Sequence, residues 1–267
     1  MYMPYLQPGL RIAMLGNVMA SISEIGGWAA TGGARVWMAV AVTVGFAMLA
    51  RLIRGVSASG AVAGAAVSFL LYASAGLGAF LALFSVFLLT WISTRLGYAR
   101  KLRRGTAERR DGRTASQVLA NLGVAAFCAV LFSIRSDQVF LLACAAALAE
   151  AAADTVSSEY GQAMSANANL ITTWEQVPAG TDGGISVAGT AAGVVAASLV
   201  TVVCVVTGLL PKSSSGLCAA AAIAGMLADS LLGASLERKR VLNNDGVNFL
   251  STGIAALLAF LLSELVG

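Results

Sequence analysis

Residues 138–161 read QVFLLACAAALAEAAADTVSSEYG. The first half is an uncharged run of small and aliphatic side chains, and the second half carries Glu150, Asp154 and Glu159. A bilayer core is crossed by about 17–25 mostly apolar residues in a helix, so the stretch is long enough to span, and its acids mark the end where it leaves hydrocarbon. Glu150 and Asp154 are four residues apart and share one helix face. An ionised carboxylate inside hydrocarbon costs on the order of 2.5–3.5 kcal/mol on insertion scales, so acids kept there need something that offsets the cost.

Similar spans lie outward from this one near 36–53, 57–73, 76–94, 117–134, 186–210, 215–236 and 247–266. The composition agrees: 58% of residues are hydrophobic and 11% charged, against roughly 25% charged in a soluble domain, and the mean hydropathy is +0.82. The expected fold is all-α, a polytopic membrane bundle of about six to eight helices, rich in the small residues that let helices pack closely in lipid. Residues 36–267 are expected to form a single membrane domain. In residues 1–35, Arg11 and Glu24 interrupt the only apolar stretch, which predicts an amphipathic or poorly spanning segment.

Orientation follows from the basic residues. Segment 95–113, RLGYARKLRRGTAERRDGR, holds eight Arg and Lys residues and is assigned to the cytoplasm. Counting spans in both directions then puts Arg51, Arg54, the 161–185 segment and the ERKR cluster at 237–240 on the same side, with Arg135 and Lys212 opposite. The basic segment reads as a topology determinant, or as a surface for anionic headgroups or nucleotide phosphates. It lacks the interleaved aromatics of a nucleic-acid surface.

The chain contains no histidine, which excludes hydrolases and phosphatases built on a histidine nucleophile or base. Cys128, Cys144, Cys204 and Cys218 have no CxxC spacing and read as small hydrophobes. The chemistry falls to carboxylates, hydroxyls and a hard cation. Asp154 and Asp229, with Glu159 and then Glu150, are the candidates, because oxygen ligands without His or Cys suit Mg²⁺; the alternative is acids solvated near the headgroups or paired with loop arginines.

Three turns accompany the acids on the same side. Ser57-Ala-Ser59-Gly60 opens the second span after Arg51 and Arg54, Gly180-Thr181-Asp182-Gly183-Gly184-Ile185-Ser186 opens the sixth, and Asn243-Asn244-Asp245-Gly246-Val247-Asn248 opens the last. Each puts small hydrogen-bonding residues at a helix N-terminus, where free N–H groups favour anions such as phosphate; each is equally a plain turn with an N-cap. No GxxxxGK[ST] loop is present. Ser57, Gly60 and Gly64 repeat the spacing of Ser186, Gly189 and Gly193, a hint of a duplicated element.

ADTVSSEYG, GTDGGIS, SASGA after the paired arginines, QVLANLG, and ADSLLGAS followed by LNNDGVNFLST resemble, in order from about Arg51 to Gly267, the motifs of one integral-membrane family. It is the family typified by the plant phytyl-phosphate kinase of vitamin E biosynthesis and including transmembrane protein nineteen of animals; it is also similar to the CTP-dependent polyprenol kinases. The resemblance implies an enzyme that moves the γ-phosphoryl group of a nucleoside triphosphate, CTP for preference, to a phytyl or other prenyl monophosphate. Arg51 and Arg54 stand where that pattern leads one to expect lysine.

An isoprenoid phosphate is already an anionic oxygen nucleophile, so the reaction needs positioning and charge neutralisation rather than a general base. On this reading Asp154, Glu159, Asp182 and Asp229 hold Mg²⁺. Ser57, Ser59, Gly60, Thr181, Gly183, Gly184 and Ser186 cradle phosphate oxygens, Asn244 and Asn248 support metal or nucleotide, and Arg51 and Arg54 meet the acceptor phosphate. The expected setting is a bacterial-type inner membrane with the site facing the cytoplasm, in contact with lipid and not nucleic acid, and with self-association left open. Two rivals use the same parts: a secondary transporter of an anion, whose site belongs near the midplane, and a cytidylyltransferase acting on a lipid phosphate, which would release pyrophosphate.

Overall fold

A computed structural model describes residues 33, 36–108 and 110–266; the N-terminal segment expected over 1–35 therefore lies outside the described residues apart from Gly33. Contacts divide the chain into two compact units, residues 1–42 and 43–267. In the first, residues 36–42 begin helix α1 (Val36–Leu52). The second holds the remainder of α1 and all later elements.

Those elements are α2 (Ala58–Ala75), α3 (Leu77–Arg95), α4 (Tyr98–Arg104), α5 (Ala115–Arg135), α6 (Gln138–Met164), strands β1 (Asn167–Leu170), β2 (Gln176–Pro178) and β3 (Gly184–Ile185), then α7 (Val187–Val206), α8 (Ser215–Leu232) and α9 (Asn244–Val266). Seven helices among the described residues are long and apolar enough to cross a membrane, and α1 is a shorter apolar helix. They coincide with the eight spans expected from hydropathy. What hydropathy does not announce is α4, bounded by left-handed Gly97 and Gly105, and the antiparallel sheet, in which β1 pairs with β2 (Asn167 opposite Pro178) and with β3 (Asn169 opposite Ile185).

Helix α6 is the axis of the bundle. Of its spanning window 83% is buried, against 28–39% for the other six, and α3, α5, α7, α8 and α9 all pack on it. Its alanine run explains why: small side chains let neighbouring backbones approach. The approach is closest where the neighbour also has no side chain. A Cβ at Gly189 of α7 would lie 2.6 Å from the Ser157 carbonyl, and one at Gly193 would lie 2.8 Å from the Ala153 carbonyl. The four cysteines are buried and free.

The helix ends differ. On one side Gly76 alone joins α2 to α3, and Ser136 and Asp137 join α5 to α6. On the other, the loops interlock. Ser57 N–H donates to the Arg113 carbonyl (2.9 Å), and Arg113 N–H donates to the Gly55 carbonyl (3.2 Å). Arg104 donates to the carbonyls of Gln162 (2.9 Å) and Ser165 (2.6 Å) at the end of α6. Gly183 lies against Ala234 so closely that a Cβ there would come within 2.4 Å. This interlocked end carries the candidate site.

Candidate functional site

On α6, Asp154 stands one turn beyond Glu150. On α8, Asp229 reaches the same place, and the two aspartates lie within hydrogen-bond reach of each other. Ser251 of α9 donates its hydroxyl to Asp229 at 3.0 Å, so α6 and the consecutive helices α8 and α9 meet at this pair. Glu150 is 1% exposed, lies within electrostatic reach of both aspartates, and has an Oε1 atom without a hydrogen-bond partner. Asn248 is three residues before Ser251 and so shares its face of α9, while Asn244 stands exposed at that helix's start.

The expected four-carboxylate cluster is not assembled. Among the described residues no three His, Cys, Asp or Glu side chains are arranged to hold a metal ion. Glu159 is instead paired with Lys101, a lysine that is 0% exposed and also donates to the last carbonyls of α3, Ser93 (3.2 Å) and Thr94 (2.8 Å). Asp182 is exposed, and Glu237 of the π-helical turn Gly233–Glu237 lies in reach of both Asp182 and Asp154. The residues that do fit a hard divalent cation are Asp154 and Asp229: two facing carboxylates with a hydroxyl beside them and an unpartnered buried carboxylate oxygen behind offer only oxygen donors.

The serine and glycine turns have local structural work. Ser57 accepts from Gly60 N–H at 3.1 Å and Ser186 accepts from Gly189 N–H at 3.1 Å, so the repeated spacing is one N-cap geometry used twice. Ser59 accepts from Ala115 N–H at 3.4 Å, which joins the start of α2 to that of α5, where Thr114 and Gln117 form a capping box. Thr181 donates to the Pro178 carbonyl. Gly183 at φ +75° and Gly184, whose Cβ would meet the Thr181 carbonyl at 2.9 Å, close that turn against the π-helical segment.

Beside the acids is a cavity of about 460 Å³ between α1, α2, α3, α5 and the basic loop. Phe46, Leu83, Val86, Phe87, Val118 and Leu122 line its depth, and Arg54, Arg95, Arg110 and Arg113 line its outer end. Of the arginines expected to meet an acceptor phosphate, Arg54 lines the cavity and Arg51 does not. Arg95 is braced by the Ile53 carbonyl and stacks over Trp91 at 4.5 Å. Arg113 is held at both backbone groups, as above, and its guanidinium donates to Thr155 Oγ1 at 3.2 Å while lying in electrostatic reach of Asp154 and Glu159. It belongs at once to the cavity wall and to the acid group.

Sequence reasoning misses Arg95, Arg110, Arg113, Lys101 and Ser251. The first four were visible as a basic loop, but nothing in the loop's composition separates an arginine that lines a cavity from one in solvent. The only local signal for Arg113 is its place directly before the capping box at Thr114.

Residues 41–256 match the family described as integral membrane protein DUF92. The chain belongs to that family. It is 30% identical over 80% of its length to 67% of the chloroplast protein VTE6 of Arabidopsis thaliana. It is 32% identical over 85% of its length to 94% of an uncharacterised membrane protein of Methanocaldococcus jannaschii. A third family relative, the protein PGR of Arabidopsis thaliana, is 29% identical over 68% of this chain and 81% of its own. No solved structure matches. The family match spans both the acid-bearing helices and the cavity, so the two parts of the site lie within the region shared by the family.

Proposed function

We propose that this protein is a membrane kinase that moves the terminal phosphoryl group of a nucleoside triphosphate, CTP for preference, onto an isoprenoid monophosphate. The observation that carries the reading is Arg113, which joins an arginine-rimmed apolar cavity to a pair of facing aspartates. A cavity of that make suits a chain with a phosphate head, since planar guanidinium groups pair with phosphate oxygens and the apolar depth takes hydrocarbon.

In the reaction an oxygen of the lipid phosphate attacks the γ-phosphorus, the bond from that phosphorus to the β–γ bridging oxygen breaks, and the nucleoside diphosphate leaves with the electron pair. Arg54, Arg95 and Arg110 bind the acceptor phosphate at the cavity's outer end, and Arg113 orients it toward the aspartates. Asp154 and Asp229 would hold Mg²⁺, whose role when bound is to neutralise the phosphates' charge. The N-termini of α2 and α5 offer N–H groups to the nucleotide phosphates, whereas in the turn at 181–184 those of Thr181 and Gly184 are given to the carbonyls of Pro178 and Thr181. Because nucleoside triphosphates are cytoplasmic, the interlocked end faces the cytoplasm on this reading, which the positive-inside count of the basic residues supports. A transporter is disfavoured by the gathering of the arginines and the facing aspartates toward one end of the helices, with two of the three opposite connections only one or two residues long.

The test is incubation of purified protein with each nucleoside triphosphate and a panel of prenyl monophosphates, with Mg²⁺ present or chelated. The expected products are the prenyl diphosphate and the nucleoside diphosphate. Pyrophosphate release would instead indicate cytidylyl transfer, and absence of Mg²⁺-dependent diphosphate from every pairing would sink the kinase reading.

A further inference from the structure

Helix α2 contributes Gly60, Ala61 and Gly64 to the cavity wall, and the two glycines are there for different reasons. A Cβ on Gly60 would meet the Arg113 carbonyl oxygen at 2.0 Å, so glycine at 60 is demanded by the close passage of the basic loop. At Gly64 a Cβ would meet no atom within 4 Å, and the backbone is ordinary helix without positive φ. Glycine inside a helix is unfavourable relative to alanine. Neither packing nor conformation requires it at 64; what its missing side chain leaves is open space where the residue lines the cavity.

The level of Gly64 in the membrane is also informative. It lies two helical turns in from Ser57, about 10 Å at roughly 1.5 Å per residue. On the other walls, Phe46 of α1 and Asn121 and Leu122 of α5 stand about as far from the basic end, while Phe87, Val86 and Leu83 of α3 and Ala151 of α6 lie deeper. Asn121 turns its amide back to the Gln117 carbonyl at 2.9 Å, so its NH₂ group is engaged within its own helix. The inner end of the cavity is thus bounded mostly by carbon, with one wall stripped to backbone.

We propose that Gly64 sets the depth of this cavity and thereby the length of the hydrocarbon chain that the protein accepts on a phosphate monoester. The proposal rests on the reading of the cavity as the acceptor site. A larger side chain at 64 occupies the space that the far isoprene units of a long chain would fill, and leaves the phosphate and the first unit untouched at the arginines. Shape discrimination of this kind acts on the chain and not on the head.

The experiment is equilibrium binding of prenyl monophosphates of one to four isoprene units to detergent-solubilised protein, without nucleotide, read by the fluorescence of Trp91, which lines the same cavity. Trp91→Phe identifies the signal. Gly64→Ala, Gly64→Val and Gly64→Leu are expected to weaken the longest ligand in that order, by about tenfold or more for leucine, with the one-unit ligand unchanged. These variants replace glycine within a helix at a place free of contacts, so thermal stability should be kept. Gly123→Leu, on α5 and also facing open space but outside the cavity lining, should change neither ligand. Equal weakening of every chain length, or no change for any, would overturn the role of Gly64. Since no phosphoryl transfer is involved, a length cut-off that moves with residue 64 in a protein without kinase activity would uphold this inference and reject the kinase reading. Failure of the wild-type protein to bind any prenyl phosphate would overturn this inference, and the diphosphate assay above then decides the kinase reading by itself.

Discussion

The two ends of the helix bundle are built on different principles. At the end bearing Gly76 and Ser136-Asp137, two of the three connections are one or two residues long, the third running from Thr207 to Ser214, and the caps serve their own helices: Asp137 accepts from Val139 N–H at 3.0 Å. At the other end, caps and loops serve helices far away in sequence. The Arg113 carbonyl receives the Ser57 N–H, Lys101 holds both the end of α3 and Glu159 of α6, and the turn at 183 lies on the π-helical segment after α8. Short local closure gives a stable rim with nothing to position. Long-range closure places four arginines and two aspartates within one region, and the proposed function draws on that end.

The comparison is broken most severely at the aspartates. Asp154→Asn and Asp229→Asn should each lower phosphoryl transfer by about a thousandfold, the scale on which charge-neutralising groups act in this chemistry, with the folded protein retained on size exclusion in detergent. Wild-type rates in both variants would remove the metal assignment.

Next in size is the buried ion pair. Lys101→Met leaves Glu159 without its ion-pair partner in a site where it is 8% exposed, with only the positive charge of Arg113 in reach, and should cost about 3 kcal/mol of stability, whereas the double replacement Lys101→Met with Glu159→Met should recover most of that. Thermal denaturation in detergent measures both. A single variant as stable as wild type would show that the basic loop is not held by this pair.

Smaller again is Gly60→Ala. The new methyl group collides with the Arg113 carbonyl, so the loop must shift; an overpacking cost of about 1–3 kcal/mol is expected, together with weaker binding of prenyl phosphate. Gly208→Ala in the α7–α8 connection, where a Cβ meets nothing within 4 Å, bears only the strain of its φ of +74° and should leave binding alone. The smallest effect belongs to the plain rim: Asp137→Ala removes an N-cap for about 1 kcal/mol and should leave turnover unchanged. A loss of activity there would mean that the two ends are coupled after all.

Much of this was legible in the chain. The run at 138–161 announced both a span and its acids, and the serine at 186 three residues before Gly189 announced a cap at the start of α7. Glu159 shows where such reading ends. Its position beside Asp154 and Tyr160 suggests a cation ligand, and the cation it meets is Lys101, which no spacing rule connects to it. Arg51 and Arg54 likewise share a helix-like spacing, but the chain leaves α1 between them: Arg54 has a φ of +56°, and only it turns into the cavity wall.

By itself the sequence determined that the fold is a bundle of about six to eight apolar helices, roughly where they begin and end, and at which end the charges collect. Those depend on hydropathy summed along the chain against a bilayer of given thickness, with caps a few residues away. Tertiary structure decided which carboxylates face one another, which arginines line the cavity, and that Gly64 faces open space while Gly60 faces a carbonyl. Such pairings join residues tens of positions apart, and they are set by how closely helices stripped to alanine and glycine can approach α6, a property of packing that no local pattern carries.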